Sequence, residues 1–281
     1  MPETDCRHQL LLAEIARDFS GRNNFPTCLD AAARVRDALQ QDQLSLEALT
    51  AAIAGAPLIA ARILRLANAA AYNPAGRCIL DLNAAISRIG FEAVRSISLT
   101  IAIAQMNTPE QPPHFAALAR KVLAHSLQVA AISRTLARRI GRIHPEEAML
   151  AGLVHDIGIF YLLYRAAPHA AYRDDPSLLA DLLSTQHAAI GEQLLQALAL
   201  PPRIIHAVRD HEKQQHIETP SSIRDILYFA NLLADPHEEE NSGNFSAAEF
   251  QLREFDRNRY RDLLSAAEED IAELRSALAA A

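Results

Sequence analysis

The sequence predicts an all-α fold. Alanine and leucine, which lead the helix-propensity scale, are abundant, whereas only nine glycines and no tryptophan occur among 281 residues. No Asn-Gly or Asp-Gly hairpin signal is present, and the apolar residues recur at helical rather than alternating spacing. Half of the residues are hydrophobic, so a chain of this length can bury a core without covalent staples.

Taken in order, residues 1–19 read as an N-terminal helix. Ser45 is placed to cap a helix through Ala54, with Glu47 in its first turn and Gly55 just past its end. Pro57 suits the first position of the next helix, whose apolar face is Ile59, Ile63, Leu66 and Ala70. Leu82, Ala85, Ile86 and Ile89 form a short helix closed by Gly90, and Val94, Ile97, Ile101 and Ala104 continue as another. Residues 20–108 therefore read as a helical bundle. Three prolines in the segment from Thr108 to Pro113 remove backbone donors and break it. The second part, residues 114–235, begins with a long helix from His114 to Ile140. Pro145 opens the segment carrying His155 and Asp156, and Pro176, Pro201-Pro202 and Pro220 mark later starts. Residues 236–281 read as a polar loop, acidic from Asp235 to Asn244, and a C-terminal helix from Ser246.

The formal net charge of −7 argues against nucleic acid as a partner, because phosphate contacts require a concentrated basic surface. The densest basic cluster, Arg134, Arg138, Arg139 and Arg142, reads as cation placement at the negative end of a helix closed by Gly141, together with ordinary solubility. Cys6, Cys28 and Cys78 are widely spaced and form no CxxC pair, which fits a reducing cytoplasm. No signal peptide is expected, and no apolar run reaches the roughly 18 residues of a spanning helix.

The chemistry concentrates in Gly152-Leu153-Val154-His155-Asp156-Ile157-Gly158. An imidazole and a carboxylate side by side in an apolar segment need a partner, a metal or a hydrogen-bond network to be buried. His125 lies on the preceding helix, and His187, His211 and Asn231 follow on later ones. Imidazoles and carboxylates converging from separate helices make a divalent-ion site, in which a carboxylate can bridge two ions. The bland alternatives are explicit. His187 reads as lying at a helix start beside the first-turn amides, and His211, within Arg209-Asp210-His211-Glu212-Lys213, as part of a solvated charged surface. Asn68 reads as an amide bonded to a neighbouring segment.

The order His125, His155-Asp156, Asn231 resembles the HD superfamily, whose metal-dependent phosphohydrolases carry a His, a His-Asp pair and a final Asp. More specifically, the chain resembles the HDOD branch, the HD-related output domains of bacterial signalling. The resemblance rests on Phe25-Pro26, on Leu64-Arg65-Leu66-Ala67-Asn68-Ala69-Ala70-Ala71-Tyr72, on Ala84-Ala85-Ile86-Ser87-Arg88-Ile89-Gly90, and on the segment from Ala151 to Gly158. It implies an HD-like helical second part packed on the N-terminal bundle, with His125, His155, Asp156 and Asn231 as metal ligands and His187 and His211 as weaker ones. The implied ion is iron, manganese or zinc.

The departures from the pattern matter. Asn231 stands where the catalytic families place an Asp, and an amide brings no charge to a hard cation. Asp235, one turn later, reads as a helix terminator. Ile159 follows Gly158 where the HD-GYP phosphodiesterases commonly have lysine, and Glu212 replaces the second His of a His-His pair. The resemblance with these losses implies a cytoplasmic, non-catalytic signalling protein that binds a signalling partner or a small nucleotide. The alternative is a metal-dependent phosphohydrolase acting on a nucleotide or cyclic nucleotide.

Overall fold

The computed structural model describes residues 3–20, 35, 37–39, 46–54, 57–106, 111–213, 217, 220–234, 265, 268, 271, 272 and 276. The described residues contain helices and no strand. Ser45, Phe25-Pro26, Asp235, the acidic segment and most of the expected C-terminal helix lie outside them.

The helices follow the proline punctuation. α1 is Glu3–Ser20, α2 Leu46–Ala54, α3 Pro57–Asn68, α4 Leu82–Ile89, α5 Phe91–Gln105 and α6 Pro113–Ile140. Then come α7 Pro145–Val154, α8 Ile157–Ala166, α9 Ala170–Asp174, α10 Pro176–Ala197, α11 Pro202–Arg209 and α12 Ile223–Ala234. Proline opens α6, α7, α10 and α11, where its missing N–H would have no intrahelical partner anyway. Caps complete the boundaries. Asp81 accepts from Ala84 N at 2.7 Å, and Asp175 accepts from Ser177 N and Leu178 N. At the start of α12, Ser222 Oγ accepts from Asp225 N while Asp225 Oδ2 accepts from Ser222 N, a reciprocal capping box. Gly141 ends α6 at φ 74°, in the left-handed region that glycine enters without strain. Ala70, expected on the α3 face, falls beyond the end of that helix and is exposed, because the helix stops at Asn68. The Asn68 side chain donates to Leu64 O and Ile79 O and accepts from Ile79 N, tying the loop that follows to the helix.

α3, α4 and α5 pack together as the first layer, and α5 packs on α7, where the second layer begins. In that layer α6 lies along α7 and α12, while α10 packs on α8 and α11. Their shared core includes Phe115, Ile132, Leu153, Phe160, Leu194 and Phe229, all buried.

Two segments, Pro113–Ile140 and Pro145–Ala166, are long and apolar enough by length and composition to cross a membrane, contrary to the sequence expectation. The second is two helices broken at His155-Asp156, with 83% of its apolar window buried inside the protein. Burial against other helices accounts for such composition in a core helix.

Arg134 corrects the reading of the basic cluster. Arg138, Arg139 and Arg142 are exposed as expected, but Arg134 is buried and its Nε donates to Glu146 Oε1 at 2.9 Å. Its guanidinium carbon lies 4.3 Å from the centroid of the Tyr72 ring, and the Tyr72 hydroxyl donates to the other Glu146 oxygen. Tyr72 belongs to the first layer, and Arg134 and Glu146 to α6 and α7, so this triad, with Arg134 buried and the other two partly buried, joins the two parts.

α1 is fastened to the second layer by polar contacts. His8 Nδ1 lies 2.9 Å from Tyr172 Oη and its Nε2 lies 3.1 Å from Asp181 Oδ2. Asp18 accepts from Tyr161 Oη and pairs with Arg165, and Glu14 pairs with Arg165 and His169. Leu11 and Ile15 supply the apolar part of the contact.

Removing one member of a buried ion pair leaves its partner desolvated and uncompensated. Glu146→Ala should therefore destabilise the protein by about 3–5 kcal/mol, measured by urea unfolding. Arg138→Ala, at an exposed position on the same helix, should change stability by less than about 0.5 kcal/mol.

Candidate metal centre

The break between α7 and α8 shapes the centre. Within an unbroken helix, adjacent side chains diverge by about 100°. At the junction, Asp156 leaves the helical region at φ −100° and ψ 17°, and the carboxylate comes to lie beside the imidazole of the residue before it. His155 Nε2 is 3.2 Å from Asp156 Oδ2, with His155 1% exposed and Asp156 9% exposed.

α10 and α11 bring two more imidazoles to this carboxylate. His211 Nε2 lies 3.6 Å from Asp156 Oδ1, and His187 Nε2 lies 3.4 Å from Glu212 Oε1. Four imidazoles run edge to face through the centre. His125 to His155 is 5.3 Å between centroids, His155 to His211 is 5.2 Å, and His211 to His187 is 5.4 Å.

Three of the rings are fixed in the same way. His155 Nδ1 donates to Gly152 O at 2.8 Å, His187 Nδ1 to Leu183 O at 2.8 Å, and His211 Nδ1 to Val208 O at 2.6 Å. A carbonyl only accepts, so each Nδ1 carries a proton and each Nε2 is turned inward. That is how proteins orient imidazole ligands for metals. Two sets of ligand atoms, each within 4.8 Å of one another, result: His125, His155 and Asp156, and Asp156, His187 and His211. Asp156 belongs to both. The donor set suits a divalent ion, since imidazole and carboxylate serve iron, manganese and zinc.

Two expectations are corrected here. His187 is no helix-start residue, because Pro176 opened α10 eleven positions earlier and the ring is mid-helix and 4% exposed. His211 is 3% exposed and is no part of a solvated surface, since the turn after α11 folds it inward while Lys213 stays outside. Asn231, expected as a candidate metal ligand, lies against His125: His125 Nε2 donates to Asn231 Oδ1 at 2.8 Å. Ile159 is half-buried and packs against the apolar core.

The sequence reading did not assign roles to Gly152 and Gly158. A Cβ on Gly158 would meet the carbonyl oxygen of His187 at 2.0 Å, and one on Gly152 would meet Ala130 Cα at 2.8 Å. The glycines thus let α8 touch α10, and α7 touch α6, at the centre. An isolated glycine inside an apolar helical run was the available signal.

Electrostatics favour an ion pair in the metal-free centre. Burial disfavours the charged form of His155, but the Asp156 carboxylate beside it and the hydrogen bond to the Gly152 carbonyl together raise its pKa. Burial likewise pushes the Asp156 carboxyl up, and the facing His155 and His211 override this and hold it well below the ordinary carboxylate range. For His187, burial lowers and the Glu212 carboxylate raises, with a net upward shift.

The fold and this centre define an HD-type helical domain. The chain belongs to the HDOD domain family, which matches residues 25–214. A proposed metal-dependent phosphohydrolase from Shewanella amazonensis superposes with a TM-score of 0.75 at 21% identity, covering 96% of this chain and 98% of that one. An HDOD domain protein of unknown function from Geobacter sulfurreducens superposes at 0.63 with 22% identity, over 94% and 96% of the two chains. Ribonuclease Y of Fusobacterium nucleatum is 27% identical over 148 residues, which are 52% of this chain and 25% of that protein. Ribonuclease Y of Geobacter sulfurreducens is 31% identical over 108 residues, 38% of this chain and 16% of that protein. This chain therefore spans a quarter or less of the ribonuclease length.

Two predictions follow from the packing and the charges. Gly158→Ala forces α8 away from α10 and should cost about 1–3 kcal/mol in chemical denaturation, the range for overpacking. In chelator, the raised His155 contributes stability that is complete below about pH 6.5 and lost as pH rises through its folded pKa. The depressed Asp156 contributes stability present above about pH 3.9 and lost as pH falls through its lower folded value. The melting temperature of metal-free protein should thus be highest in mildly acidic solution and decline towards alkaline pH, with a shallower alkaline decline in His155→Ala.

Proposed function

We propose that this chain is a regulatory module of the HDOD family, acting in the cytoplasm, whose His/Asp centre holds a ligand without hydrolysing it. The observation that carries the reading is the 2.8 Å hydrogen bond from His125 Nε2 to Asn231 Oδ1. An amide oxygen accepts only, so the His125 nitrogen facing it is protonated and has no lone pair for an ion. One half of a two-ion hydrolytic centre is thereby occupied by an internal hydrogen bond. The partners this reading implies are a signalling protein or a small nucleotide. A net charge of −7 supports neither DNA nor RNA, and the match to ribonuclease Y covers too little of that enzyme to carry its activity across.

A second reading has one observation in its favour: Asp156 is shared by two ligand sets, as a bridging carboxylate in a phosphohydrolase would be. A divalent ion there would supply charge stabilisation to a phosphoryl oxygen, while Asp156 and the imidazoles would position it. The readings separate on purified protein with manganese and a panel of cyclic and linear phosphodiesters. The regulatory reading expects no turnover above that of His155→Ala. Turnover abolished by His155→Ala would overturn it, and Asn231→Asp should then raise the rate further.

A further inference from the structure

The two halves of the centre are not equivalent, and the difference has a consequence for metal binding in this chain. We propose that the centre takes a single divalent ion, seated by Asp156, His187 and His211 with Glu212 as a second carboxylate, and that the His125 half takes none. The inference rests on the reading of the His/Asp centre as a ligand site.

The tautomers support the assignment. In the His187 and His211 rings, Nδ1 is the donor to a carbonyl, which leaves Nε2 to face Asp156 and Glu212. In His125 the facing nitrogen is Nε2 itself, and it donates to Asn231. An ion entering beside His125 would have to break that bond and would gain an uncharged amide in exchange. Charge points the same way. The His187 half has Asp156 and Glu212, whose two negative charges balance a divalent ion, whereas the His125 half has only the shared Asp156.

The spacings agree. His187 Nε2 to Glu212 Oε1 is 3.4 Å and His211 Nε2 to Asp156 Oδ1 is 3.6 Å. Both exceed the usual N–H···O range of about 2.7–3.2 Å. Neighbouring ligands around an ion with bonds of about 2.1 Å stand roughly 3.0–3.4 Å apart, so Asp156, His187 and His211, whose ligand atoms lie within 4.8 Å of one another, need a contraction, and Glu212, close to His187 but outside that set, must swing inward. Glu212 is the movable member, its side chain 60% exposed, while the other three are held by the core. Glu212 thus closes the seat from the solvent side and takes the place that the sequence pattern gives to a second histidine.

The test uses the full chain, stripped with chelator and titrated with manganese(II) alone by calorimetry, with elemental analysis of the loaded protein. Wild type is expected to bind one ion per chain. His125→Ala should keep that stoichiometry with affinity changed less than about threefold, while Glu212→Gln should weaken it at least about tenfold, in the range measured for removing a supporting carboxylate. His211→Ala should lose the ion, and if it does not fold, the exposed Glu212→Gln carries the test. Asn231→Asp should raise the stoichiometry to two. Two ions in wild type, loss of the ion in His125→Ala with Glu212→Gln unaffected, or no ion at all would each overturn the proposal. A protein that binds no ion and turns over no phosphodiester fails this proposal and leaves the regulatory reading in place. One that binds a single ion in this seat and turns over phosphodiester does the reverse.

Discussion

A carboxylate without water around it must be surrounded by donors, and the burial of Asp156 organises much of this protein. His155 and His211 face it, and each of those rings has its other nitrogen bonded to a carbonyl of its own segment. Two of the carbonyls that hold the rings, Gly152 O and Val208 O, lie in the last turns of α7 and α11. Last-turn carbonyls lack the regular intrahelical donor. The imidazoles bond to these two, at Val208 O in addition to the backbone N–H groups of Asp210 and His211. Ending a helix and aiming a ring are therefore one event at both places, which explains how so polar a cluster is tolerated inside an apolar core.

α7 is held at both ends by such polar contacts. At its start Glu146 bonds Arg134 and Tyr72, and at its finish His155 bonds Asp156. Between these points its side chains from Ala148 to Val154 are buried. The first layer meets the second through Tyr72, and the His/Asp centre sits at the far end of the same ten-residue helix. α7 thus links the contact between the layers to the His/Asp centre through one short element.

Much of this was legible from the chain. Prolines at first helical positions and glycines at helix ends mark boundaries through backbone sterics alone, so Pro57, Pro145, Pro176, Gly90 and Gly141 could be read without tertiary information. The His155-Asp156 pair stood out because its neighbours are apolar. Local composition misled where long-range packing decided. His187 follows Ser184 and Thr185 and so read as lying at a helix start, yet both hydroxyls bond back to Asp181 O within α10. His211 lies in a run of charged residues that reads as surface, yet it points in while Lys213 stays outside, and a single turn was enough to reverse its exposure. Arg134 resembled its exposed neighbours in sequence, and only the arrival of Tyr72 and Glu146 from elsewhere makes it a buried residue. His8, bonded to Tyr172 and Asp181 across more than 160 positions of sequence, had no local signal at all.

The contact of Gly158 with the carbonyl of His187 is main chain against main chain. The closest approach of α8 to α10 is accordingly set by backbone thickness for as long as position 158 carries no side chain. Spacing and ligand identity are therefore independent variables in this fold. Glu212 and Asn231 stand where the related pattern has a histidine and an aspartate, and neither takes part in this backbone contact.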